Sequence, residues 1–102
     1  MKDLSQDEWR EQIKEDKDAV ILDVRTATEV EEGKIPDAVN IDIYKGQGFL
    51  DEIEKLDRSK NYYVYCKSGG RSAQACAIMD QKDLKTFNLL GGFSEWDGDV
   101  EE

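Results

Sequence analysis

The sequence contains no histidine, which excludes the side-chain pairs that most often activate a cysteine or serine nucleophile. A cysteine nucleophile in this chain needs another route to its thiolate. The two cysteines, Cys66 and Cys76, are too few for a disulfide framework, and without histidine they give little support for a zinc site. We therefore expect no bound metal.

Long apolar segments and an excess of positive charge are also absent. No apolar run approaches the roughly 18 residues that a membrane-spanning helix needs, and the first residues, 1–5, form no hydrophobic signal region. The net charge of −10 repels nucleic acid and anionic membrane surfaces at long range. We expect a cytoplasmic protein with neither as a partner, in which any anion-binding site is local.

The length of 102 residues is enough for a single domain, 1–102, with one modest core. Apolar residues occur in short runs that alternate between strand-like and helix-like patterns. This alternation predicts an α/β fold with a small parallel sheet of four or five strands and helices on both faces. Residues 97–102 form an acidic tail that we expect to be frayed. The predicted helices lie near 5–15, 26–33, 49–56 and 72–81, and the predicted strands near 19–24, 38–41, 62–65 and 86–89.

One stretch concentrates the chemistry of the chain. The apolar run 62–65 predicts a buried strand, Cys66 follows it directly, and an alanine-rich helix begins near Ser72. The glycines between them let successive backbone N–H groups point inward, and the helix N-terminus adds partial positive charge. Both effects favour a thiolate at Cys66, and the amides that can provide them belong to Ser68, Gly69, Gly70, Arg71 and Ser72.

Charged residues are predicted to surround this cysteine. Lys67 and Arg71 bring two positive charges to the loop and are candidates to bind an anionic substrate. Asp23, Arg25 and Glu29 follow another predicted strand, and in parallel sheets the carboxyl ends of strands share one edge. We interpret these three residues as an ion-pair network that supports the edge. Cys76 lies within the helix, where burial is the simpler interpretation and a resolving role for a persulfide is the alternative.

Several segments in order resemble the rhodanese family, over nearly the whole chain. Residues 21–25 and 33–41 are similar to its first signature, residues 65–72 to its active-site loop and residues 90–96 to its closing segment. Two positions depart from the usual pattern: Lys34 stands where histidine is frequent, and residues 82–84 replace a turn with small residues and glycine.

The resemblance implies a sulfurtransferase with a rhodanese-like fold and no cofactor. Cys66 would take sulfane sulfur from a small anionic donor such as thiosulfate, carry it as a persulfide and pass it to cyanide, a small thiol or a protein thiol. One alternative is a sulfur-relay or protein-binding module with little activity toward thiosulfate. A less favoured alternative is a cysteine phosphatase or arsenate reductase, whose loops have five residues between cysteine and arginine, whereas this chain has four between Cys66 and Arg71.

Overall fold

The computed structural model describes all 102 residues and consists of five parallel strands and four α-helices. The strand order in the single sheet is β1-β5-β4-β2-β3, so β4 lies at the centre. Short 3-10 turns follow β3 and β5, at Ile43–Lys45 and Phe93–Glu95. The elements are β1 Lys2–Leu4, α1 Gln6–Glu15, β2 Ala19–Asp23, α2 Ala27–Glu31, β3 Val39–Asn40, α3 Gln47–Glu54, β4 Asn61–Tyr65, α4 Gly70–Asp80 and β5 Lys85–Leu89.

The predicted α/β class and parallel sheet are confirmed. Two of the predicted helices begin at capping boxes. Ser5 and Glu8 exchange side-chain and backbone hydrogen bonds at the start of α1, and Thr26 and Glu29 do the same at the start of α2. β1 was not predicted. It is a three-residue edge strand that pairs with β5, and its Lys-Asp-Leu sequence has no strand-like pattern of its own.

The two faces of the sheet carry separate apolar clusters, because successive side chains of β4 point to opposite sides. Tyr62, Val64 and Cys66 belong to the cluster under α3 and α4. Tyr63 and Tyr65 belong to the other cluster, which includes Trp9 of α1. Helices therefore cover both faces, and Cys66 lies on the side of the sheet that α4 covers.

The acidic tail is paired, contrary to the expectation that it is frayed. Lys34 and Glu101 exchange two backbone hydrogen bonds, with N···O distances of 2.9 and 2.8 Å. The indole N–H of Trp96 donates to the carbonyl of Asp99 at 2.9 Å. Lys34, one of the two departures from the family pattern, thus anchors the tail through its backbone, while its ammonium donates to the carbonyl of Ala38 at 3.2 Å.

The second departure forms a turn between α4 and β5. Asp83, within this turn, adopts φ +63°, in the left-handed region. Aspartate tolerates this conformation better than most residues with a Cβ. The turn therefore accommodates a left-handed residue without glycine. None of the helices is both long enough and apolar enough to cross a membrane.

Candidate active site

Cys66 follows the last residue of the central strand β4 and is only 1% exposed. The next residues turn sharply so that α4 begins at Gly70. Gly69 precedes this helix with φ +108°, a conformation that a side chain would disfavour. The thiol is therefore held beneath the first turn of a helix, at the carboxyl end of the sheet.

Hydrogen bonds converge on the sulfur of Cys66. The amide of Gly69 lies 3.0 Å from Sγ, and the hydroxyl of Ser72 lies 3.4 Å from it. Burial alone would raise the pKa of the Cys66 thiol, but hydrogen bonds from the Ser72 hydroxyl and from the amides of Ser72, Gly69 and Ser68 outweigh it, so that the pKa is lowered. Three of the five predicted amides thus contribute to a thiolate-stabilising cradle, together with a hydroxyl that was not predicted.

The segment after β5 holds the loop in place. The amide of Phe93 donates to the carbonyl of Cys66, and the amide of Ser94 donates to the carbonyl of Lys67, both at 2.9 Å. Gly92, with φ +60°, passes so close that an added Cβ would lie 2.5 Å from the Lys67 carbonyl oxygen. The close approach of two backbones therefore requires glycine at this position.

The guanidinium of Arg71 binds Glu29 with two parallel hydrogen bonds, of 2.7 and 2.9 Å. The hydrogen bonds from Arg71 lower the pKa of Glu29 to about 2. Tyr44 covers the guanidinium, with its ring centroid 5.5 Å away. The anion that compensates Arg71 at the start of α4 is therefore a carboxylate of α2. Binding of a donor by Arg71 stays a prediction.

Asp23 and Arg25 form a separate, buried ion pair. The Nη2 atom of Arg25 donates to Asp23 at 2.7 Å and to the carbonyl of Gly33 at 2.7 Å, and the hydroxyl of Tyr65 donates to Asp23 at 2.6 Å. The pKa of Arg25 is raised, because hydrogen bonds and charge from Asp23 outweigh the opposing effect of burial. The predicted network of Asp23, Arg25 and Glu29 is thus wrong in one respect: Glu29 pairs with Arg71 rather than Arg25, since α2 turns it toward α4.

Lys67 is the exposed cation of the loop, and its ammonium forms no ion pair with a carboxylate. A cavity of about 210 Å³ opens beside it. Because its ammonium is not held in an ion pair, Lys67 is free to interact with an anion that approaches the sulfur, although two carboxylates line the same cavity. The cavity is lined by Arg25, Glu29, Glu32, Lys67, Phe93 and Ser94.

Cys76 is fully buried, as its place in the helix indicates. Burial raises the pKa of its thiol to about 12 and outweighs the opposing effect of the nearby Thr86 side chain. The thiolate is therefore negligible at neutral pH. Of the two cysteines, only Cys66 has the environment of a nucleophile.

Sequence reasoning missed the side chains that support the loop from the neighbouring strand. Asn88 of β5 accepts a hydrogen bond from the Ser72 hydroxyl at 2.5 Å and is 2% exposed. A polar residue between Phe87 and Leu89 in a predicted strand was a signal for such a role. The close contact of Gly92 with the cysteine loop was also not predicted.

The sequence profile of the rhodanese-like domain matches residues 5–99. The chain belongs to the rhodanese-like domain family. Its curated relatives include proteins named as sulfurtransferases. The chain is 36% identical over 100 residues to YtwF of Bacillus subtilis, which is provisionally named a sulfurtransferase. The alignment covers 98% of this chain and 94% of YtwF.

Two further comparisons place the rhodanese-like domain among known proteins. Thiosulfate sulfurtransferase GlpE of Coxiella burnetii is 35% identical over 82 residues, which cover 78% of this chain and 73% of GlpE. The crystal structure of a rhodanese-related protein from Thermoplasma volcanium superposes with a TM-score of 0.87 at 29% identity, covering 99% of this chain and 98% of that one. The rhodanese-like fold is therefore shared along the whole chain.

Proposed function

We propose that this rhodanese-like domain is a sulfurtransferase that takes sulfane sulfur from thiosulfate or a similar small anionic donor. Cys66 carries the sulfur as a persulfide and passes it to a thiol, on a small molecule or a protein, or to cyanide. The observation that carries the proposal is the sulfur of Cys66, held by the Gly69 amide at 3.0 Å beneath the start of α4. The GlpE relative, named a thiosulfate sulfurtransferase, supports this choice of donor.

The reaction consists of two displacements at sulfur. In the first, the thiolate of Cys66 attacks the outer sulfur of thiosulfate; a new S–S bond forms, the donor's S–S bond breaks, and its electron pair leaves on sulfite. In the second, the acceptor attacks the outer sulfur of the persulfide. The bond between Sγ and the outer sulfur breaks, and its electron pair returns to Sγ. Each step conserves electrons, so the cycle needs no external oxidant or reductant.

The loop meets the electrostatic needs of both steps. The amides of Ser68, Gly69 and Ser72 stabilise negative charge on sulfur, and they are fixed before the reaction begins. Lys67 offers an exposed positive charge, not held in an ion pair, to the approaching dianion. A strongly acidic protein thereby keeps a local site for an anionic donor.

Thiosulfate loading tests the proposal directly. The wild-type protein is incubated with thiosulfate and its intact mass is measured, and cyanide is then added while thiocyanate is followed. We expect the protein to gain a single sulfur atom and then lose it as thiocyanate. A protein that gains no sulfur from thiosulfate, but does gain it from a persulfidated donor protein, is a sulfur-relay module instead.

Phosphate chemistry has less support from the geometry. Both terminal nitrogens of the Arg71 guanidinium are engaged by Glu29, so the arginine that would clamp a phosphoryl group is occupied. The loop also has four residues between Cys66 and Arg71. Hydrolysis of a phosphate ester such as p-nitrophenyl phosphate by Cys66 would contradict the sulfurtransferase proposal.

Lys67→Ala is expected to weaken the use of thiosulfate, with KM raised about fivefold, because an exposed cation beside a dianion contributes about 1 kcal/mol. The acidity of Cys66 should change little, since its sulfur is stabilised by amides and a hydroxyl. Steady-state thiocyanate formation at several thiosulfate concentrations measures the first effect. The pH dependence of Cys66 alkylation measures the second.

Lys60→Ala is the matched control for Lys67→Ala. Lys60 precedes β4 at the opposite end of the sheet and lies 3.9 Å from Asp18. Both substitutions change the net charge equally, so a general effect of charge would appear in both variants. An unchanged KM in Lys67→Ala, or an equal rise in both variants, would remove the donor-binding role of Lys67.

A further inference from the structure

A buried chain of polar side chains leads away from the sulfur of Cys66. The hydroxyl of Ser72 has three acceptors within reach: Asn88 Oδ1 at 2.5 Å, the carbonyl of Gly69 at 3.1 Å and Cys66 Sγ at 3.4 Å. A serine hydroxyl has a single proton to donate. The three acceptors therefore compete for it, and the shortest contact is with Asn88.

The orientation of Asn88 is fixed by a charged partner. Its Nδ2 atom lies 3.0 Å from a carboxylate oxygen of Asp3, in the neighbouring strand β1. An ionised carboxylate only accepts hydrogen bonds, so the NH2 group must face Asp3 and Oδ1 must face Ser72. Ser72 and Asn88 are buried, whereas Asp3 is exposed.

We propose that Asn88, oriented by Asp3, is a positioning residue that shares the hydroxyl proton of Ser72 with the sulfur of Cys66. While the sulfur carries a proton or an outer sulfur atom, it needs no donor, and the hydroxyl donates to Asn88. When Sγ becomes a thiolate, its proton leaves to solvent and the hydroxyl turns from Asn88 to the sulfur. Asn88 thus keeps the buried hydroxyl satisfied in the states in which Sγ carries no charge.

Several charged groups surround this chain. Arg71 of α4 lies near the sulfur and is paired with Glu29 of α2, Lys67 belongs to the exposed loop, and Asp3 approaches from β1. Any effect of these groups on the thiolate would be an effect of charge, whereas Asn88 is neutral. An effect of Asn88 on the acidity of Cys66 can therefore be distinguished from an effect of charge.

The proposal predicts opposite effects from neighbouring substitutions. Ser72→Ala removes the donor, and we expect thiolate formation to shift to higher pH, with alkylation about tenfold slower below the midpoint. Asn88→Leu removes the competitor, and we expect a shift to lower pH, with alkylation about threefold faster, because the Gly69 carbonyl still competes. Asp3→Ala frees the amide of Asn88 to turn its NH2 group toward Ser72, and should shift the midpoint in the same direction as Asn88→Leu.

The experiment measures iodoacetamide alkylation of Cys66 against pH, located by peptide mapping, in the full chain and its variants. Alkylation needs no sulfur donor, so its result is independent of whether thiosulfate is the substrate. Asp3→Ala is also made in the Asn88→Leu background. If Asp3 acts through Asn88, the second substitution adds no further shift, whereas an effect of its charge would persist in both backgrounds.

The proposal is overturned if Asn88→Leu leaves the midpoint unchanged or raises it, or if Asp3→Ala shifts it equally in both backgrounds. Should Asn88→Leu fail to fold, Asp3→Ala alone decides, because Asp3 is exposed. Its shift is then compared at low salt and at about 1 M salt, where the Debye length falls to about 3 Å. A shift that survives high salt supports the hydrogen-bond chain, and its loss or absence overturns the proposal.

Discussion

Cys66→Ser is expected to abolish both sulfur loading from thiosulfate and thiocyanate formation, with turnover at least about 1,000-fold lower than in the wild type. A serine hydroxyl stays protonated in the same cradle, and its oxygen cannot take the place of Sγ in the persulfide. The amides that lower the pKa of Cys66 would remain. The loss of activity would therefore be due to the missing sulfur atom. It is measured by intact mass and by thiocyanate production.

Cys76→Ala is the control for that loss. Cys76 is the other thiol of the chain, but it is fully buried and burial raises the pKa of its thiol to about 12. The folded variant should gain the same amount of sulfur as the wild type. Sulfur loading that survives in Cys66→Ser, or that disappears in folded Cys76→Ala, would show that the wrong cysteine has been assigned.

The pH dependence of sulfur loading tests whether the thiolate of Cys66 is stabilised. A thiol whose pKa is lowered is deprotonated over a wider range toward acid, so the rate should rise with pH and level off below the range in which an ordinary cysteine titrates. A rate that rises only where an ordinary cysteine titrates would contradict the stabilised thiolate. The rate is measured from the sulfur gained in single-turnover samples quenched at increasing times.

Local signals explain why much of the fold was predictable. The capping boxes at Ser5 and Thr26 place two helices, and the apolar runs that end at Asp23 and Tyr65 place the strands of the sheet centre. The position of Cys66 between strand and helix follows from the same signals. Each of these features is encoded within a few neighbouring residues.

Features that depend on distant pairing were missed. β1 is a strand because β5 pairs with it at the edge, and the tail is paired because Glu101 meets Lys34 and Asp99 accepts from Trp96. Arg71 and Glu29 are 42 residues apart, and Ser72 meets Asn88 only in the register that the sheet imposes. The sequence names these residues, but the partners of their side chains are set by tertiary structure.

Arg25→Ala is expected to destabilise the protein by about 3–5 kcal/mol, because it leaves the buried carboxylate of Asp23 without its cation. The side chains of Asp23 and Arg25 are 0% and 4% exposed. The substitution also removes the donor to the Gly33 carbonyl and the group that stacks on Phe93, 4.4 Å from its ring centroid. The free energy of unfolding, measured by urea titration with circular dichroism, gives the loss.

Further variants test the cause of that loss. Lys14→Ala removes an exposed cation, 69% exposed and 3.5 Å from Glu11, and should change the free energy of unfolding by less than about 0.5 kcal/mol. In the double variant Asp23→Leu with Arg25→Met, the two charges are removed together, so the loss should be smaller than the sum of the losses in the single variants Asp23→Leu and Arg25→Met. Additive losses, or an Arg25→Ala loss no larger than that of Lys14→Ala, would mean that the buried pair does not stabilise this edge of the sheet.

The loop depends on the same edge, because Phe93, on which Arg25 stacks, donates its amide to the carbonyl of Cys66. We therefore expect the folded fraction of Arg25→Ala to gain less sulfur than the wild type.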